Sequence, residues 1–124
     1  MKMELDWYKV EPYNKQKMGN VTNEAGIYII SALQKDNSYV ARYVGQTNDL
    51  NSRLLEHLEE NEQNEKLRYY VENIKLKVSY AKVKYQKDRD AIELYLFNLL
   101  NPKCNINKPP SDYEMKVNLP NIRY

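Results

Sequence analysis

Gly26-Ile27-Tyr28-Ile29-Ile30-Ser31 and, a turn later, Tyr39-Val40-Ala41-Arg42-Tyr43-Val44-Gly45 are the stretches on which the fold turns. Both are rich in β-branched and aromatic residues, and Gln34-Lys35-Asp36-Asn37 between them has turn chemistry. If those four residues form the loop of an antiparallel hairpin, Leu33 faces Ser38 and Tyr28 lies opposite Tyr43. Opposed residues project from one face, so the two phenols are expected to be neighbours. Two of the chain's 3 glycines, Gly26 and Gly45, lie in these stretches.

Downstream, Asn48-Asp49 offers a side-chain cap for a helix start. Leu50, Leu54 and Leu58 then recur at every fourth position as a buried stripe. Arg53 and His57 repeat the same step, offset by roughly 60° on a helix of 3.6 residues per turn. They are expected side by side along the border of the buried face. A second helix is read from about 64 to 73. Leu76-Lys77-Val78-Ser79-Tyr80 alternates as a strand does, and the alternation changes phase at Ala81, which predicts a bulge near 79–81. The last helix is expected over about 88–100 with Asp88 as its cap, ending at Asn101-Pro102 because the residue before proline disfavours the helical region. Residues 1–23 read as an arm packed on the core, with Trp7 as anchor. The tail, 109–124, has no period and is expected to lie along the surface.

At 124 residues the chain is the size of one domain with one modest core, and no window approaches the ~18 apolar residues of a membrane span. Its start, Met1-Lys2-Met3-Glu4-Leu5-Asp6, lacks the apolar run of a secretory signal. A single cysteine, Cys104, closes no internal bridge, which fits a cytoplasmic location. The net charge is +2, slight for a protein that grips nucleic acid unaided. Its distribution is uneven: Glu56, Glu59, Glu60, Glu62 and Glu65 crowd one stretch. Residues 66–89 then carry Lys66, Arg68, Lys75, Lys77, Lys82, Lys84, Lys87 and Arg89 against Glu72 and Asp88. That second stretch is either a solvated sheet face or a surface that steers a polyanion. On the polyanion reading Lys75, Lys77, Lys82 and Lys84 are candidate nucleic-acid contacts.

Glu93 is the lone charge in Ala91-Ile92-Glu93-Leu94-Tyr95-Leu96-Phe97-Asn98-Leu99-Leu100. A helix apolar on nearly every side is buried, and an ionised carboxylate within it needs a partner. Coordination of a metal ion or a salt bridge to Arg53 would each supply one. Taken singly, His57, Arg53, the tyrosine pair and Asn105 all have bland packing or surface readings.

Taken in order, these residues resemble the GIY-YIG nuclease superfamily. Gly26-Ile27-Tyr28 matches the first signature tripeptide, and Tyr43-Val44-Gly45 the second with valine for isoleucine. Arg53 and His57 match the arginine, and the histidine or tyrosine one turn later, on the family's first helix. Glu93 falls at the metal-binding glutamate, and Asn105 at the asparagine after the last helix. The match spans roughly residues 24–108 of a single domain covering 1–124. It implies an α+β fold, a three-stranded antiparallel sheet flanked by helices, and a divalent-metal-dependent endonuclease acting on DNA. By that resemblance Glu93 holds Mg²⁺ or Mn²⁺ and Arg53 grips the scissile phosphate. Tyr28 and His57 assist the attacking water, Tyr43 contacts the water or phosphate, and Asn105 orients the phosphate or braces the site. The slight basicity points to help from a second copy or a recruiting protein. The competing reading is a nucleic-acid-binding module that keeps the fold without turnover.

Overall fold

In the computed structural model, residues 1–122 are described. Strands β1 (Lys2–Met3) and β2 (Tyr8–Val10) and a 3₁₀ turn (Lys15–Asn20) precede the hairpin of β3 (Gly26–Leu33) and β4 (Tyr39–Thr47). Helices α1 (Leu50–His57) and α2 (Glu65–Asn73) follow, then β5 (Leu76–Lys82), α3 (Gln86–Leu100) and β6 (Lys116–Val117). The main sheet is antiparallel in the order β2-β5-β3-β4. It has four strands where three were expected. The fourth, β2, comes from the arm, whose Tyr8 and Val10 pair with Tyr80 and Val78.

Strand β3 lies in the middle and is buried on both faces, so its alternation divides two cores. Tyr28, Ile30 and Ala32 join Leu76, Val78 and Tyr80 under α1 and α2, together with Leu50, Leu54 and Leu67. Ile27 and Ile29 face the other way, against Ile92, Leu96 and Leu100 of α3 and Met115 and Val117 of the tail. The same division explains the phase change in β5. Its pairing with β3 runs unbroken from Leu76 to Lys82, with no bulge. Leu76, Val78 and Tyr80 fill one core, while Ala81 and then Val83 fill the other.

The bulge lies instead in the β3–β4 hairpin, between Ile30 and Ser31. Ile30 pairs with Tyr43 and Ser31 with Ala41, so Arg42 is the extra residue on β4. The loop also takes one residue more than expected: Leu33 pairs with Tyr39, and Asn37 adopts a left-handed φ of 68°. These two single-residue shifts place Tyr28 opposite Gly45 rather than Tyr43. Because they sum to an even step, Tyr43 stays on the Tyr28 face as its diagonal neighbour.

Helix starts follow the local chemistry at two of three sites. The Asp49 side chain accepts from Ser52 N, and the Asn64 side chain from Leu67 N. Helix α3 begins two residues earlier than expected, after Tyr85, with no side-chain cap; Asp88 lies in its first turn, where a carboxylate favours the N-terminal dipole. It ends at Asn101 in a left-handed conformation, φ 48°. The tail does more than follow the surface. Strands β1 and β6 pair in parallel, and Asn118 exchanges hydrogen bonds with the Leu5 backbone. Trp7 donates to the Asn118 carbonyl, which makes it the anchor expected of the arm.

Candidate functional site

Both tripeptide glycines are explained by close approach. A Cβ on Gly45 would come within 2.4 Å of the Tyr28 ring and hydroxyl. A Cβ on Gly26 would come within 2.2 Å of the Ala81 carbonyl and 2.7 Å of Leu50. Gly45 thus makes the room in which the Tyr28 phenol lies beside strand β4. The Tyr28 and Tyr43 rings are 6.2 Å apart and stacked, and His57 sets its ring 5.6 Å from the first and 5.2 Å from the second.

His57 is not at the border of the buried face. It is wholly buried, because α1 lays its last turn directly over the tyrosines. Its Nε2 is 2.8 Å from the Tyr28 hydroxyl, and its Nδ1 is 3.1 Å from Glu62. Glu62 went unrecognised in the sequence because it sits in a run of acids that reads as solvated. A buried imidazole facing a carboxylate five residues on is the signal, and only the structure supplies it. Burial and the Arg53 charge push the His57 pKa down, while Glu62 pulls it up, so the ring is held neutral near pH 7.

Arg53 is half-exposed at the rim, paired with Glu56 at 2.9 Å rather than with Glu93. Its guanidinium also lies against both phenols. Burial raises the Tyr28 pKa well above that of a free phenol, Tyr43 adds to the rise, and Arg53 opposes it. Burial likewise raises Tyr43, with Arg53 again opposing and the Glu93 charge reinforcing. Tyr43 therefore stands between the guanidinium and the carboxyl.

Glu93, Tyr43, Asn64 and Asn105 line a cleft of about 300 Å³ beside the outer strand β4. Arg53 and Glu62 line the neighbouring cleft of about 440 Å³. Glu93 is half-buried, and among the described residues no cation pairs with it. Burial pushes its pKa up to about 7; a hydrogen bond from Gln46 offsets part of that, and Asp90 adds to the rise. A carboxyl open to a cleft and short of positive charge fits a hard divalent ion. Magnesium accepts a single protein carboxylate because it keeps several waters and takes phosphate oxygens. Among the described residues, no three ligating side chains cluster.

Asn105 spends its amide on the backbone. Its Oδ1 accepts from Val44 N at 2.9 Å and its Nδ2 donates to Val44 O at 2.8 Å, pairing the free edge of β4 as a strand would. The lysines of the β5 region are placed variously. Lys77 is buried, donates to the Asn121 carbonyl at 2.8 Å and lies over the Tyr39 ring. Lys82 pairs with Glu24 at 3.5 Å, and Lys84 lies over Tyr85. Lys75 is exposed. No helix among the described residues is long and apolar enough to cross a membrane.

A family model described as the GIY-YIG catalytic domain matches residues 24–107. Among solved structures, the chain is similar to the GIY-YIG N-terminal endonuclease domain of UvrC from Thermotoga maritima bound to magnesium, its catalytic divalent cation. The identity is 25%, the TM-score 0.56, and the match covers 73% of this chain and 93% of that one. Two point mutants of that domain, each bound to the catalytic divalent cation, match at 25% identity with a TM-score of 0.57 and at 26% with 0.55. Each covers 74% of this chain and 93% of the other. Among curated proteins, nothing matches.

Proposed function

The chain belongs to the GIY-YIG family, and on that premise we propose that it is a metal-dependent endonuclease that hydrolyses DNA phosphodiester bonds by in-line attack of water. The observation that carries this reading is the convergence on β4. The Arg53 guanidinium, the Tyr28–His57 pair and Tyr43 lie on one side of that strand, and the Glu93 carboxyl faces the adjoining cleft.

Arg53 offers a planar fork of donors at the rim, suited to two oxygens of one phosphate. Its pairing with Glu56 is an exposed contact within one helix, of the kind an arriving phosphate displaces at little cost. Tyr28 takes the proton of the attacking water, with His57 behind it as the next acceptor. Tyr43 is half-exposed at the cleft and positions the water or a phosphate oxygen. Asn105 acts through β4, holding Val44 so that Tyr43 and Gly45 on either side stay in place. Glu93 would hold Mg²⁺ or Mn²⁺, which when bound neutralises charge on the phosphate and the departing 3′ oxygen.

Supercoiled plasmid incubated with the protein tests this reading. Nicking is expected with Mg²⁺ or Mn²⁺ and none with chelator. Glu93→Ala should keep the circular dichroism of the parent and lose on the order of 10³-fold in rate, the weight of several kcal/mol of charge stabilisation. A parent protein that binds DNA without nicking it would leave the non-catalytic binding module as the answer.

A further inference from the structure

The assignment above leaves Glu62 without a task, although it is only 9% exposed among acids that face solvent. One carboxylate oxygen is 3.1 Å from His57 Nδ1, and the other accepts from Asn64 N at 3.2 Å. Its carbonyl accepts from Arg68 at 3.3 Å, and Asn64 in turn caps α2 and donates to the Cys104 carbonyl. The carboxylate is therefore anchored from both sides of the α1–α2 connection.

A carboxylate only accepts hydrogen bonds, so the ring proton of a neutral His57 belongs on Nδ1. Nε2 is then a bare lone pair, 2.8 Å from the Tyr28 oxygen, and Tyr28 must donate to it. We propose that Glu62 is a positioning residue that fixes the His57 tautomer, forming a Glu62–His57–Tyr28 proton relay for the nucleophilic water. The relay deepens the nuclease reading and rests on it.

In the reaction the water oxygen bonds to phosphorus as its O–H bond breaks, and that proton passes to the Tyr28 oxygen. The proton already on Tyr28 moves to His57 Nε2, and Glu62 stabilises the imidazolium. The P–O3′ bond breaks, and its electron pair leaves with the 3′ oxygen. The logic is that of a carboxylate–imidazole pair behind a hydroxyl, with a phenol relaying the proton of water instead of attacking. The other titratable groups facing His57 are Tyr43 from β4 and Arg53 and Glu56 from α1; Tyr13, which donates to the Leu54 carbonyl, bears on Glu62 and Arg53.

His57 is the chain's single histidine, so its ring nitrogens can be read without assignment by long-range ¹H–¹⁵N spectroscopy. The relay requires the Nδ1–H tautomer in the metal-free parent protein at pH 7.5. Glu62→Gln should shift the ring toward Nε2–H and lower kcat for nicking about 10–100-fold, the range seen when the orienting partner of a metal-ligating histidine is removed. KM should change less than about twofold. The acid limb of the rate profile should move to lower pH, because the charge that favours the imidazolium is gone. Glu62→Asp should restore part of the rate. An Nε2–H tautomer in the parent, or parental kcat and pH profile in Glu62→Gln, would overturn the relay. Failure of the nuclease reading shows separately, as absence of nicking by the parent itself.

Discussion

At the scale of single residues, the candidate site is built from two close approaches and one carboxyl that pairs with no cation among the described residues. Gly45 faces Tyr28 at a distance that excludes a methyl group, and Tyr28 is 1% exposed, so it has nowhere to retreat. Gly45→Ala should cost about 1–3 kcal/mol in denaturant unfolding, the usual penalty of overpacking, and slow nicking by moving the phenol from His57. Unchanged stability would mean the ring has room that the packing denies. Glu93 gives a pH signature. Its pKa is raised from 4.5 to about 7 in the folded chain, so its contribution is fully present below about 4.5 and lost as pH rises through about 7. His57 acts in the opposite sense: its lowered pKa adds stability above about 6.5 that is lost as pH falls. Comparing the parent with Glu93→Gln isolates the first effect. Without metal, the variant should gain in Tm relative to the parent between pH 5 and 8. A pH-independent difference would show that the Glu93 carboxyl is not the titrating group.

These residues were also the most legible part of the chain. Gly26, Gly45 and Glu93 stood out because a glycine in a strand or a carboxylate in an apolar helix costs something at its position, whereas Tyr28, Tyr43, Arg53, His57 and Asn105, bland when taken singly, were legible only through their order and spacing. Glu62 could not be seen, because its neighbours Glu59 and Glu60 are ordinary exposed acids and burial alone sets it apart.

At the scale of elements, β4 is the outer strand of the sheet, and the site is built along it. The bulge at Arg42 turns Tyr43 onto the Tyr28 face, and Asn105 substitutes for a missing neighbour strand at Val44. Asn105→Ala removes both bonds and should cost about 1–3 kcal/mol in unfolding, with nicking reduced and metal affinity retained. Full stability with lost activity would place the amide on the substrate instead. The alternating pattern located β3, β4 and β5 but misplaced the bulge. Turn length and pairing register depend on contacts between strands, and the phase change in β5 records two cores rather than an irregular strand.

At the scale of the whole molecule, the N-terminal arm and the β6 segment of the tail meet across the α3 face. The arm supplies β2 to the sheet, and Leu5, Met115 and Val117 close the second core. These segments were read as arm and tail because two- and three-residue strands are too short for a period to show. That closure holds α3, and with it Glu93, against the strand that carries Tyr43. Two of the clefts among the described residues bear on the metal, one with Glu93 and the other lined by the richer acid set of Glu56, Glu59 and Glu62. They make different predictions for where a divalent ion goes. A crystal grown with Mn²⁺ and examined by anomalous scattering decides between them. The peak is expected beside the Glu93 carboxylate, in the cleft shared with Tyr43. A peak confined to the Glu56–Glu62 cleft, with Glu93 bare, would contradict the assignment of the metal and the hydrolytic mechanism built on it.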